Sequence, residues 1–150
     1  MSIGYAALAQ LLTINGTANI SASWDVKISD IKEGTLTGAV SKTAAVVAGD
    51  KLSASFDVDL QYPGSSATYI VTVQNAGSID ARLESITGIE TANAAAPTEL
   101  SYSIDAVEND LLANGSTKDY IITVTWADSN QIPVTKTKTA TITLNYVQAM

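Results

Sequence analysis

The stretch KLSASFDVDL, residues 51–60, decides the fold. Leu52, Ala54, Phe56, Val58 and Leu60 fall on one side of an extended chain, and Lys51, Ser53, Ser55, Asp57 and Asp59 on the other. Alternation with a period of two marks a strand with one buried and one wetted face. The pattern recurs on both sides of this segment. Trp24, Val26 and Ile28 alternate within 24–29, and Tyr69, Val71 and Val73 within 68–75. Tyr120, Ile122, Val124 and Trp126 do so within 119–126, and Ala140, Ile142, Leu144 and Tyr146 within 138–147. Weaker strands are expected at 17–22, 35–42, 79–87 and 100–105. Breakers separate them: Gly49-Asp50, Pro63-Gly64-Ser65, Ala76-Gly77-Ser78, Asn114-Gly115-Ser116 and Asp128-Ser129-Asn130. About eight to ten short strands at this spacing predict an all-β chain, a single jelly-roll or immunoglobulin-like β-sandwich with at most one short helix. That helix is expected at 106–113 (AVENDLLA), whereas 92–97 (ANAAAP) reads as a loop or one helical turn. Trp24 and Trp126, both at inward positions, are expected to anchor the core.

The length of 150 residues suits one domain able to bury its own core without staples. Cys and His are both absent, which removes thiol nucleophiles, imidazole bases and nearly every zinc site. The formal charge of −7 repels nucleic acid and anionic lipid, so neither is expected as a partner. Charged residues make up only 15%, leaving Thr, Ser and Asn to carry the polar surface.

The acidic residues are the remaining candidates for chemistry. Asp57 and Asp59 share a strand face about 7 Å apart, which a glycosidase pair would tolerate, but a solvated face explains them better. Glu108-Asn109-Asp110 and Asp128-Ser129-Asn130 lack the spacing of a calcium loop and read as caps or turns. Serine has no histidine base to activate it. No enzymatic activity, cofactor or metal is expected. Three Asn-x-Ser/Thr sequons, at Asn15, Asn19 and Asn114, are candidate glycosylation sites in a secreted chain.

The start of the chain does not behave like a solvated terminus. In GYAALAQLLTI (4–14), Tyr5, Ala7, Ala9 and Leu11 alternate with Ala6, Leu8 and Leu12, so both faces are apolar, and no charged side chain precedes Asp25. Three readings compete: the end of a signal sequence, an ordinary first strand of its own sheet, or a strand given to a neighbouring subunit. Ala7-Leu8-Ala9 has the form of a signal-peptidase site, with Gln10 as the mature start, and small apolar residues also produce that form by chance.

Two segments carry a resemblance to a known family. Gly4-Tyr5-Ala6-Ala7-Leu8 runs into LTINGTANI (12–20) and Trp24-Asp25-Val26, and YIVTVQNAGSIDA occupies 69–81. Together they resemble the TasA/camelysin group of secreted biofilm-matrix proteins, including the archaeal bundling pilins. The likeness covers about the first 90 residues and continues beyond only as strand pattern. It implies a jelly-roll subunit, secreted and extracellular, that polymerises head-to-tail with itself by donor-strand complementation. Residues 1–14 would be the donor strand, with Tyr5, Leu8, Gln10, Leu12 and Ile14 as its working positions, and 15–150 the sandwich. Leu8 and Leu12 would fill pockets, with Gln10 between them on the same face finding a hydrogen-bond partner. Cleavage at Ala9 would leave such a donor short, so the resemblance requires cleavage further upstream. No membrane association is expected once a signal peptide is gone, and other matrix components are candidate partners. The rival reading is a monomeric cell-surface adhesion or carbohydrate-binding module, in which residues 5–14 fold into their own sheet.

Overall fold

The computed structural model describes residues 9–128, 132, 133 and 138–149. The chain is an all-β sandwich of antiparallel pairs. In chain order the strands are β1 (Val26–Thr37), β2 (Ala39–Val47), β3 (Ala54–Leu60), β4 (Ser66–Asn75) and β5 (Ala81–Thr87), followed by helix α1 (Ile89–Ala94). Then come β6 (Leu100–Ile104), β7 (Leu111–Leu112), β8 (Thr117–Trp126) and β9 (Thr143–Gln148). One sheet has the order β1-β4-β8-β6. Facing it are two smaller pieces, β2-β3 and β7-β5-β9, which do not pair with each other.

β4 shows most plainly why these residues form strands. Ala67, Tyr69, Val71 and Val73 are buried, each next to a partly covered neighbour, so the chain's own alternation supplies one dry face. On β8, Tyr120, Ile122, Val124 and Trp126 do the same. Ile31, Leu83 and Leu112 complete the core between the layers, and Phe56 of β3 stacks on Tyr69 at 4.1 Å between ring centroids. The stretch that sets the alternation, 51–60, becomes strand only from Ala54, with Leu52 left 70% exposed. The segment expected at 35–42 is cut by Gly38, whose φ of 62° turns the chain from β1 into β2.

Three expectations are corrected. Residues 106–113 are not helical. Asn109 takes a positive φ of 73°, its N–H donates to the Leu83 carbonyl, and the Leu83 N–H donates to the Asp110 carbonyl. Backbone groups that a helix would use internally are thereby spent on β5, and Leu111–Leu112 becomes a short strand. The one helix lies at Ile89–Ala94 instead, entered through Gly88 at φ 101°. A Cβ on Gly88 would sit 1.7 Å from the Thr141 carbonyl oxygen, so only glycine lets the chain before β9 pass there. Residues 17–22 form no strand and are exposed. Trp24 lies outside β1 and is 48% exposed, so it does not anchor the core, whereas Trp126 is buried at the end of β8. Of the turn at 128–130, Ser129 and Asn130 lie outside the described residues.

One buried polar side chain holds the β4–β5 corner. Asn75 is fully buried; its Nδ2 donates to the carbonyls of Ile79 (2.8 Å) and Leu112 (3.0 Å), and its Oδ1 accepts from the Gly77 N–H (3.1 Å). Leucine there would leave three backbone groups unpaired, and each buried orphan costs about 1–3 kcal/mol. Asn75→Leu is therefore expected to lower the stability measured by urea unfolding by roughly 3 kcal/mol or more. A loss smaller than about 1 kcal/mol would contradict this account of the corner.

Candidate functional site: a groove between two sheet edges

The division of the second layer creates the site. Among the described residues β3 pairs only with β2, and β9 only with β5, which leaves each with one edge of backbone N–H and C=O groups without a strand partner, and both strands line one groove. Between them runs an open groove of about 560 Å³. Its floor is the dry face of the first sheet, with Ile31, Val71, Val73, Ile104 and Ile122. One wall carries Ala54 and Phe56 of the β3 side, the other Ile142, Leu144 and Tyr146 of the β9 side. Trp24, Val26 and Leu52 line one end. An uncapped pair of strand edges over an apolar floor is a template for one more strand.

The two walls run in opposite directions. The Lys51 carbonyl, just before β3, accepts from the Ile28 N–H (2.8 Å), and Ile28 lies opposite Val73. Phe56 has advanced to Tyr69, which lies opposite Ile122. β9 is approached from the other end: the Tyr102 hydroxyl donates to the Lys138 carbonyl (2.8 Å), and Tyr102 lies opposite Val124. By Tyr146 the chain has reached Tyr120. A single strand laid in the groove must therefore run antiparallel to one wall and parallel to the other.

Among the inward side chains of the β9 wall, between Ile142 and Leu144 on one side and the groove's end on the other, Tyr146 is the polar one. The hydroxyls of Tyr120 and Tyr146 lie 2.9 Å apart and share one hydrogen bond. Burial, reinforced by that bond, pushes the Tyr146 phenol far above its ordinary range, so it stays a neutral O–H donor and acceptor at any ordinary pH.

The N-terminal segment leaves the body beside this groove. Ser23 is held by two bonds to Ser78, its N–H donating to Oγ and its carbonyl accepting from the N–H, both 2.9 Å. The Ala76 N–H donates to the Asp25 carbonyl (2.8 Å). Gly77 permits this close approach, because a Cβ there would meet the Ser23 oxygen at 2.4 Å. Before Ser23, residues 9–22 are exposed and carry no strand. Leu11, Leu12, Ile14 and Ile20 are 82–98% exposed. Of the expected donor positions, Gln10, Leu12 and Ile14 lie on this exposed segment, and Tyr5 and Leu8 lie outside the described residues.

The other candidates stay apart from the groove. Asp57 and Asp59 sit on the exposed side of β3. Asp110 pairs with Lys118, and Glu108 Oε1 accepts from the Ile86 N–H at 3.4 Å. Among the described residues no three acidic side chains gather closely enough to hold a metal ion, and no helix is long and apolar enough to cross a membrane. Asn15 and Asn19 are exposed on the N-terminal segment. Asn114, exposed in the turn before β8, donates from both its backbone N–H and its Nδ2 to Asp80 Oδ1, at 2.8 Å each. Those bonds, the backbone one foremost, hold the Asp80 carboxyl below its ordinary range.

Fold and groove together define a class: an all-β sandwich with an open groove between two strand edges and an exposed, largely uncharged segment at residues 9–22. Comparison with protein-family models, curated proteins and solved structures finds no match.

Proposed function

We propose that this chain is the structural subunit of an extracellular filament, a pilus or biofilm-matrix fibre, polymerised by insertion of residues 1–14 into the groove between β3 and β9 of the next subunit. The observation that carries this reading is the pairing of two unmet needs in one molecule. The groove offers two free backbone edges above an apolar floor, and the N-terminal segment offers apolar side chains with nothing to pack on. Inserting a strand satisfies both. Each large apolar side chain removed from water contributes about 2 kcal/mol, so three or four give roughly 6–8 kcal/mol before the cost of ordering the segment. Donor and acceptor are different surfaces, so the contact is heterologous and extends into a filament rather than closing a dimer. The resemblance to TasA/camelysin proteins points the same way, as does a jelly-roll completed by the added strand. Secretion and a role among other matrix components follow from this reading. Chemistry has no part in it.

Stability separates this function from that of a monomeric adhesion or carbohydrate-binding module. A partner that binds only the folded state raises apparent stability by mass action. Assembled protein is therefore expected to melt well above a chain lacking residues 1–14, and a peptide of residues 4–14 added in trans is expected to restore much of the difference. Equal melting of the two forms, with no effect of the peptide, would favour the monomeric module.

A further inference from the structure

We infer that Gln10 of the incoming strand docks against the Tyr146–Tyr120 hydroxyl pair, and that this contact fixes both the register and the direction of insertion, antiparallel to β9. The inference rests on the strand-exchange reading above and adds to it which residue meets which, and which way the donor points.

Residues 8, 10, 12 and 14 share one face of an extended strand: Leu8, Gln10, Leu12 and Ile14. The face is apolar except at Gln10. Lys27, Lys51, Ser53, Thr141, Thr143 and Asn145 also line the groove, but on the inward parity of the β9 wall Ile142 and Leu144 are apolar and Tyr146 alone is polar, and among the described residues neither tyrosine hydroxyl has a second side-chain partner beyond the other. Two hydroxyls sharing one hydrogen bond leave one proton and several lone pairs unused, and a primary amide both donates and accepts. A slip by two residues in either direction would set the Gln10 amide against Leu144 or beyond the end of the wall, and leave Tyr146 facing a leucine. One polar contact inside an apolar interface specifies register because every other alignment buries it unpaired.

With Gln10 beside Tyr146, the rest of the strand decides direction. β9 and the chain before it present Ile142, Leu144 and Tyr146 in order along the wall. Running antiparallel to β9, the strand sets Leu12 beside Leu144 and Ile14 beside Ile142, over Ile104 and Ile122, and sends Leu8 to the end lined by Trp24, Val26 and Leu52. Running parallel, it would bring Leu8 to Leu144 but only Ala6 to Ile142, leaving that end of the floor uncovered. The antiparallel choice brings the donor's body out at the Ile142 end. Each chain's own N-terminal segment leaves at the Trp24 end, so successive subunits follow one another along an axis. It also disfavours self-insertion, since from Ile14 a chain would have to retrace the groove's length to rejoin its own Trp24.

The chain contains no cysteine, so introduced pairs report cleanly. In the full-length protein, Ile14→Cys with Ile142→Cys is expected to form an oxidised ladder of chains on a non-reducing gel. Ile14→Cys with Leu52→Cys is expected to form one at least tenfold more weakly, because those positions lie at opposite ends of the groove. The reverse preference would overturn the direction proposed here while leaving strand exchange standing. Monomers closed by an internal disulfide, or no cross-link in either variant, would overturn strand exchange and this inference together. Register is read by adding Gln10→Leu, which leaves the body untouched, or Tyr146→Phe. Either is expected to shift cross-linking of Ile14→Cys from Ile142→Cys toward Leu144→Cys by about fivefold or more, the equilibrium equivalent of one buried unpaired polar group. An unchanged ratio in both variants would show that the pair does not set the register.

Discussion

Deletion of residues 1–14 is expected to leave a folded, soluble monomer that no longer forms filaments. The core supports the folded half of this expectation: its buried residues begin at Ile31, and the partly covered side chains packed on them begin at Val26. None comes from residues 9–14, the described part of the segment removed. Loss of assembly follows because the truncated chain keeps an acceptor groove but has no donor. Negative-stain images and sedimentation of the two forms measure the effect, which should be close to all-or-none. The truncated chain should still accept a donor from full-length protein and so cap growing ends. Filaments of ordinary length from the truncated chain would show that assembly uses another surface.

The second large effect is expected from Leu8→Asp combined with Leu12→Asp. The two positions share a strand face about 13 Å apart, so both charges would enter the neighbour's apolar groove at once. Burying an unpaired carboxylate costs several kcal/mol at each site, enough to offset the roughly 6–8 kcal/mol gained by inserting the strand. In the monomer the substitutions should be nearly silent, because Leu12 is 82% exposed and contributes nothing to its own core. Circular dichroism and urea unfolding of the double variant should match those of the chain lacking residues 1–14, while pelleting assays show no polymer. Loss of the β spectrum would mean that the segment is an internal strand. Unimpaired polymers would mean that it lies outside the interface.

These expectations depend on features that were unequally visible in the sequence. Faces were legible. Phe56, Tyr69, Val71, Tyr120, Ile122, Leu144 and Tyr146 all lie where period-two alternation puts them, because a strand between core and water has no other way to place its side chains. The apolar character of the N-terminal segment was legible for the same reason: neither face offers a wet side. Lateral pairing was not legible. Alternation says which side of β3 and β9 is dry but not that, among the described residues, one edge of each lacks a strand partner, so the groove emerged only from the strand order. Nor did local propensity decide 106–113, where Ala, Glu and Leu favour a helix. Bonds from Asn109 and Asp110 to Leu83, 26 and 27 residues away in the chain, outweigh that preference. Trp24 has the inward parity expected of it, but it stands before the first strand pair at Val26 and so lines the groove's open end.

Amide hydrogen exchange of residues 9–14 in the assembled protein tests the central claim most directly. In the monomer these residues are exposed and form no strand, so their amides should exchange at nearly the rate of a free peptide. Once the segment lies between β3 and β9 of a neighbour, its amides and those on the facing edges of β3 and β9 should become protected together, with protection approaching that of β4 and β8. Assemblies in which residues 9–14 still exchange as a free peptide, or in which β3 and β9 gain no protection, would contradict strand insertion as the basis of the fibre.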